Sequence, residues 1–199
     1  MANEYTDLAT LKESLSIEAD DTSRDARLAK ALTAASRSID KTTGRRFWLD
    51  DVPQVRMYRT RGRTVREDDG EILLVDDIGS LASGLVVETG SGISWSTVSG
   101  YEPVPDNALL DARPITALLR LNGSWGGSTS RVRVTTRFGW PAVPEEIAEA
   151  ALIQAARLFK RKDSPEGVLG SAEWGVVRLS RRDPDMWNLI EQYVLPGFG

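Results

Sequence analysis

Apolar residues recur at helical spacing at both ends of this chain and at strand spacing in its middle. Near the N-terminus Leu8, Leu11 and Leu15 stand at i, i+3 and i+7, which predicts a short helix that Thr6 can cap. Thr22 with Asp25 three places on resembles a capping box, with Asp in place of Glu. It opens a second helical pattern that runs to Thr43, with Leu28, Leu32, Ala35 and Ile39 in one stripe and Gly44 as the stop. A third begins at Pro144, where the missing N–H costs nothing, and Glu145 and Glu146 follow at the positive end of the helix dipole. Ile147, Ala150, Ala151, Ile153, Ala155, Leu158 and Phe159 carry it to Lys160-Arg161-Lys162, a rod of roughly 28 Å at 1.5 Å per residue. Its alanines would let neighbours approach closely, as in a central helix.

Between these helices the period changes to two. Candidate strands are Gln54–Arg61, Glu71–Val75, Gly84–Glu88, Ile93–Thr97, Ile115–Leu121 and Arg131–Arg137. In the last of them Val132, Val134 and Thr136 alternate with Arg131, Arg133, Thr135 and Arg137. Gly123–Thr129 reads as a long hairpin loop. After Lys162 come Pro165, Gly167 and Gly170, then a strand-like Trp174–Ser180. Asp183-Pro184-Asp185 starts a last helix with cap, N1 proline and acidic first turn, and Pro196 ends it. The fold class is therefore α+β: a helical bundle (1–46 and 138–162), an inserted antiparallel β domain of sandwich or barrel type (47–137), and an extended C-terminal arm (163–199) with a short strand and a terminal helix.

Composition narrows the chemistry. The 199 residues include neither Cys nor His. That removes the thiolate nucleophile, the usual general base and the commonest zinc ligands, so a Ser-His-Asp triad cannot be built. Carboxylate, Lys or Tyr chemistry and oxygen-held Mg²⁺ are what remain. Asp20-Asp21, Asp50-Asp51, Asp68-Asp69 and Asp76-Asp77 offer oxygens, but adjacent strand residues point to opposite faces, and solvated loops are the simpler reading. Gly90-Ser-Gly92 and Gly126-Gly127 lack the Lys-Ser/Thr of a phosphate loop. No apolar run reaches a membrane span, and the N-terminus has no signal-peptide pattern, so an intracellular origin is expected.

Trp48 and Trp140, at the two changes of period, suit core anchors; Trp125 in its Gly/Ser loop and Trp174 in the tail suit contact surfaces. Arg56, Arg59, Arg61, Arg63 and Arg66 invite a nucleic-acid reading. From Trp48 to Ala112, however, five basic residues face twelve acidic ones, and a duplex reader should be basic. The tail is different: from Arg157 to Arg182 seven basic residues stand against three acidic.

Four stretches taken together carry a resemblance. They are Ala34-Ala-Ser-Arg-Ser-Ile-Asp-Lys-Thr-Thr-Gly-Arg-Arg-Phe47 after the short leucine helix, and Phe138-Gly-Trp-Pro-Ala-Val-Pro-Glu-Glu-Ile147. The others are Ala155-Ala-Arg-Leu-Phe-Lys-Arg-Lys-Asp-Ser-Pro-Glu-Gly167 and Arg182-Asp-Pro-Asp185. In this combination the chain resembles the head–tail connector (adaptor) proteins of tailed bacteriophages; the β insertion is less typical of the smaller members. The resemblance implies a virion protein assembled in the host cytoplasm, whose copies form a ring, commonly twelve-fold, under the portal protein. That ring extends the DNA channel and receives the tail, a stopper or a tail terminator. It implies no catalytic residue, no cofactor and no metal, and DNA that slides through without sequence-specific binding.

On this reading the docking residues lie in the tail: Trp174, Val176, Val177, Arg178, Leu179, Arg181, Arg182, Trp187 and Ile190. The strand-like stretch has no neighbouring hairpin partner in sequence and is a template for pairing with the portal or a neighbouring subunit. The alternative is that the last helix packs back on the bundle. Two other functions fit the residues. One is a sugar- or peptide-binding module presenting Trp95 or Trp125, and the other is a carboxylate–Mg²⁺ enzyme using Asp76 and Asp77.

Overall fold

The computed structural model describes residues 3–161 and 183–195, together with the backbone of 168–169 and 177–178. The chain divides into a helical unit, Met1–Arg45 with Val143–Gly199, and a β unit, Arg46–Ala142.

In the helical unit, α1 spans Leu8–Ser14, α2 Asp25–Thr43, α3 Glu145–Lys160 and α4 Pro184–Ile190. Asp7, not Thr6, caps α1: its carboxylate accepts from the Thr10 N–H at 2.9 Å. That bond, first among its causes, holds the Asp7 carboxyl below its ordinary range. The capping box expected at Thr22 is not made, and α2 starts at Asp25 with no side-chain cap. The Asp25 carboxylate is drawn instead to the Lys12 ammonium, 2.6 Å away and nearly buried. Coulombic attraction to a desolvated cation holds the carboxylate there and away from the Thr22 backbone. Gly44 ends α2 at φ 70°, as anticipated.

Leu28, Leu32, Ala35 and Ile39 of α2 are all buried, and α3 buries Ile147, Ala150, Ala151, Ala155 and Phe159. The alanines do what the sequence suggested, since they let α2 lie close along α3. Arg27 crosses the contact, donating to the Phe159 carbonyl at 2.6 Å while its guanidinium lies over that ring. Leu11 of α1 closes this core.

The terminal helix has the predicted cap, with Asp183 accepting from the N–H groups of Asp185 and Met186. It packs against α3, and Met186 and Ile190 are buried. Past its end the chain is tied down. Tyr193 Oη bonds Glu146, Arg45 Nε donates to the Tyr193 carbonyl, and the Leu195 N–H donates to Thr43 O at 2.8 Å.

The β unit is one curled antiparallel sheet. Its strands are β1 (Gln54–Arg59), β2 (Thr64–Arg66), β3 (Gly70–Ser80), β4 (Val86–Ser91), β5 (Ser94–Thr97), β6 (Tyr101–Val104), β7 (Ile115–Leu121) and β8 (Arg131–Phe138). Their order is β5-β4-β8-β3-β7-β6, with β1 also on β8 and β2 on β3. Val132, Val134, Thr136 and Phe138 of β8 all point inward, so the expected alternation holds. Leu73, Val75, Ile78, Val87, Ile115 and Leu118 fill the core with them.

Two expectations change here. The acidic pair Asp76-Asp77, read as a loop, lies inside β3, which runs on to Ser80 past a bulge between Leu74 and Ile78. Asp76 is paired there with Arg56 at 2.7 Å, and Asp77 accepts from Trp140 Nε1 at 3.0 Å. The stretch Gly123–Thr129 is not a hairpin loop either. β7 pairs with β3 and β6, and β8 with β1, β4 and β3, so the connection crosses from one part of the sheet to the other.

Candidate interaction surfaces

The residues assigned to docking from the sequence divide by where they fall. Trp174, Val176, Leu179, Arg181 and Arg182 lie outside the described residues. Val177 and Arg178 form β10, which pairs antiparallel with β9 (Val168–Leu169), so the strand expected to lack a neighbour in sequence has one nine residues upstream. Trp187 is half-buried on α4. Ile190 is fully buried, which corrects its assignment: in this arrangement its side chain serves the core of the helical unit and is not offered to a partner. To that extent the packed-back alternative for the last helix is the one observed.

Trp125 also moves from surface to core. It has no exposed surface, its indole Nε1 donates to Glu71 O at 2.8 Å, and its own N–H donates to the Glu71 carboxylate at 2.5 Å. Trp48 is half-buried beneath the Arg46 guanidinium, and Trp140 is buried against Phe47 with ring centroids 5.1 Å apart.

One surface was not anticipated, the outward face of β1, β8, β4 and β5. The register aligns Val55, Thr135 and Val86 in one row and Met57, Arg133, Glu88 and Thr97 in the next. A third row holds Arg59, Arg131, Gly90 and Trp95. Val55, Met57 and Val86 are exposed, Met57 by 60%. At the centre Arg133 grips Glu88 with two bonds of 2.7 Å and lies 4.7 Å from the Trp95 ring. The hydrogen bond from Arg133 holds the Glu88 carboxyl below its ordinary range. The pair is neutral as a whole and leaves Arg59 and Arg131 as exposed charges of this face, with half-buried Arg137, whose Nε donates to Asp50 O, beyond the Val55 row. The sequence signal was present in the alternation Val55, Met57, Arg59, but only the register shows which strands extend that face.

Beside β4 and β5 a cleft of about 370 Å³ is lined by Thr89, Ser91, Ser94, Ser96, Ser130 and Arg120, among others. Its described lining combines hydroxyls with the Arg120 guanidinium and the Trp125 indole. Tyr58 is pushed well above the ordinary phenol range by burial, with Asp76 adding to the effect, and stays neutral. Among the described residues no three acidic side chains converge to hold a metal ion, and no helix is long and apolar enough to cross a membrane.

No family profile matches the sequence, and no curated protein is similar to it in sequence. Similarity does extend to solved structures. A chain from the neck of an empty gene transfer agent (GTA) particle, computed with C6 symmetry, superposes with a TM-score of 0.54 at 19% identity, over 100% of this chain and 98% of that one. A chain from the virion of the native GTA particle gives 0.51 at 20% identity, over 99% and 97%. End to end, helical and β units together, this chain has the fold of chains found in GTA particle necks and virions.

Proposed function

We propose that the protein is a structural component of a particle neck, a connector whose copies form a ring beneath the portal and continue the DNA channel toward the tail. The observation that carries this is the end-to-end fold match to a GTA neck chain, which includes the β insertion as well as the helices. The connector-like stretches of sequence point the same way from a separate direction. Their described residues lie in α2, α3 and the start of α4 of the helical unit, and at the two ends of the β unit. A net charge of −4 suits a channel component, because DNA must slide past it and dense phosphate neutralisation would resist that.

Docking to the portal is assigned to the basic tail between Arg157 and Arg182, with Trp187 beside it. Removing everything after Lys162 would be a poor test, because it also strips Met186 and Ile190 from the core. Reversing charge is cleaner. Arg178→Glu, Arg181→Glu and Arg182→Glu together should leave the helical content and melting temperature unchanged and abolish co-sedimentation with portal-bearing heads. Normal co-sedimentation of that variant would move the docking role from the tail to the helical body.

A further inference from the structure

The outward face of β1, β8, β4 and β5 has the composition of a contact centre. Apolar Val55, Met57 and Val86 share it with Trp95 and with Arg133, which is already locked in a neutral pair with Glu88. The loop after β6 has matching properties of opposite charge. Leu110 is 84% exposed, and Asp106 and Asp111 flank it, also exposed. This loop is held in shape from below. Ala108 is buried in the β core, Leu109 packs against it, and the N–H groups of Leu110, Asp111 and Arg113 bond back to Asn107 and Ala108. A pre-formed loop loses little freedom on binding. Arg113 lies at its end, yet with Glu102 on β6 counted the segment remains acidic.

We infer that the β units of neighbouring copies join through these two patches, the 106–111 loop of one copy seating Leu110 on the Met57 face of the next. Asp106 and Asp111 meet Arg59 and Arg131. Charge complementarity selects the occupant. A second copy placed face to face would bring together two patches whose unpaired charges are basic, and one placed loop to loop would bring together two acidic ones. Face to loop is the arrangement that pairs opposite charges. Two different patches make the contact head-to-tail, and repetition of such a contact closes a ring or builds a filament. The contact requires no other protein and is independent of where the tail docks.

Because the chain has no cysteine, single introduced thiols report this contact cleanly. Full-length Met57→Cys and Leu110→Cys, one enlarged by a tag, are mixed and oxidised mildly. The mixed disulfide dimer should exceed either homodimer by about tenfold or more, a margin that like-charge juxtaposition in the homodimers suffices to produce. Adding Arg59→Glu and Arg131→Glu to the Met57→Cys protein should remove that excess. Adding Asp106→Arg and Asp111→Arg to the Leu110→Cys partner should restore it. Val65→Cys tests whether charge alone suffices, since it sits near Arg63 and Arg66 but on another strand, β2. It should not couple to Leu110→Cys above the homodimer level. Equal homodimer and mixed yields, no dimer at all, or coupling at Val65→Cys equal to that at Met57→Cys would each overturn the assignment.

Discussion

Gly139→Ala should cost the β unit more than about 3 kcal/mol, the largest effect expected of any single methyl group in this protein. Gly139 has φ 115°, a conformation that residues with a Cβ essentially do not adopt, and it ends β8 where the chain passes closest to the stretch after Phe47. A Cβ there would stand 1.9 Å from the Trp48 carbonyl oxygen and 3.0 Å from the Leu49 Cα. These are backbone atoms and cannot swing aside. The same region ties the two ends of the β unit together. The Asp50 N–H donates to Phe138 O at 2.8 Å, Arg137 Nε donates to Asp50 O at 2.7 Å, and the Gly139 N–H donates to Asp77 O at 2.8 Å. Pushing the strands apart therefore loses hydrogen bonds as well as adding strain. Gly92→Ala provides the comparison, because Gly92 also has positive φ (58°) but nothing within 4 Å. It should cost about 1 kcal/mol. Urea titration followed by tryptophan fluorescence measures both, and equal losses would show that the close approach at Trp48 does not carry the cost.

Trp125→Ala should be nearly as damaging, at about 3–5 kcal/mol, because it empties the largest fully buried side chain of the β core and removes the indole donor to the Glu71 carbonyl. Trp125→Phe keeps most of the volume and should cost about 1–3 kcal/mol, mainly through the lost Nε1 bond. Had Trp125 been a contact residue on an open loop, both changes would be close to neutral for stability. Thermal unfolding of the three proteins decides between these roles.

That contrast also shows what the sequence could and could not disclose. Regular periodicity was readable. Leu28 to Ile39, Ile147 to Phe159 and Val132 to Phe138 form the buried faces their spacing implies, and local capping chemistry placed Asp183-Pro184 and Gly44 correctly. What failed depended on partners distant in sequence. Trp125 sits in a run of Gly and Ser that resembles a solvated loop, and only Glu71, fifty-four positions earlier, makes it a core residue. Asp76 and Asp77 resemble loop residues until Arg56 pairs with the first and the Trp140 indole donates to the second within β3. Thr22 lost its capping box because Lys12 claims Asp25. The short strands β2 and β6 have too few residues to show a period. The candidate surface on β1, β8, β4 and β5 is of the same kind, since four separated segments supply it and register alone aligns them.

A neck component of the kind proposed above docks coaxially on the portal of its own particle. Electron microscopy of the purified full-length protein mixed with the portal of its own particle tests that most directly. Class averages should show an added ring of density on the tail-facing end of the portal, coaxial with its channel. Portal averages unchanged by the protein, or density scattered over the portal without axial symmetry, would contradict the account.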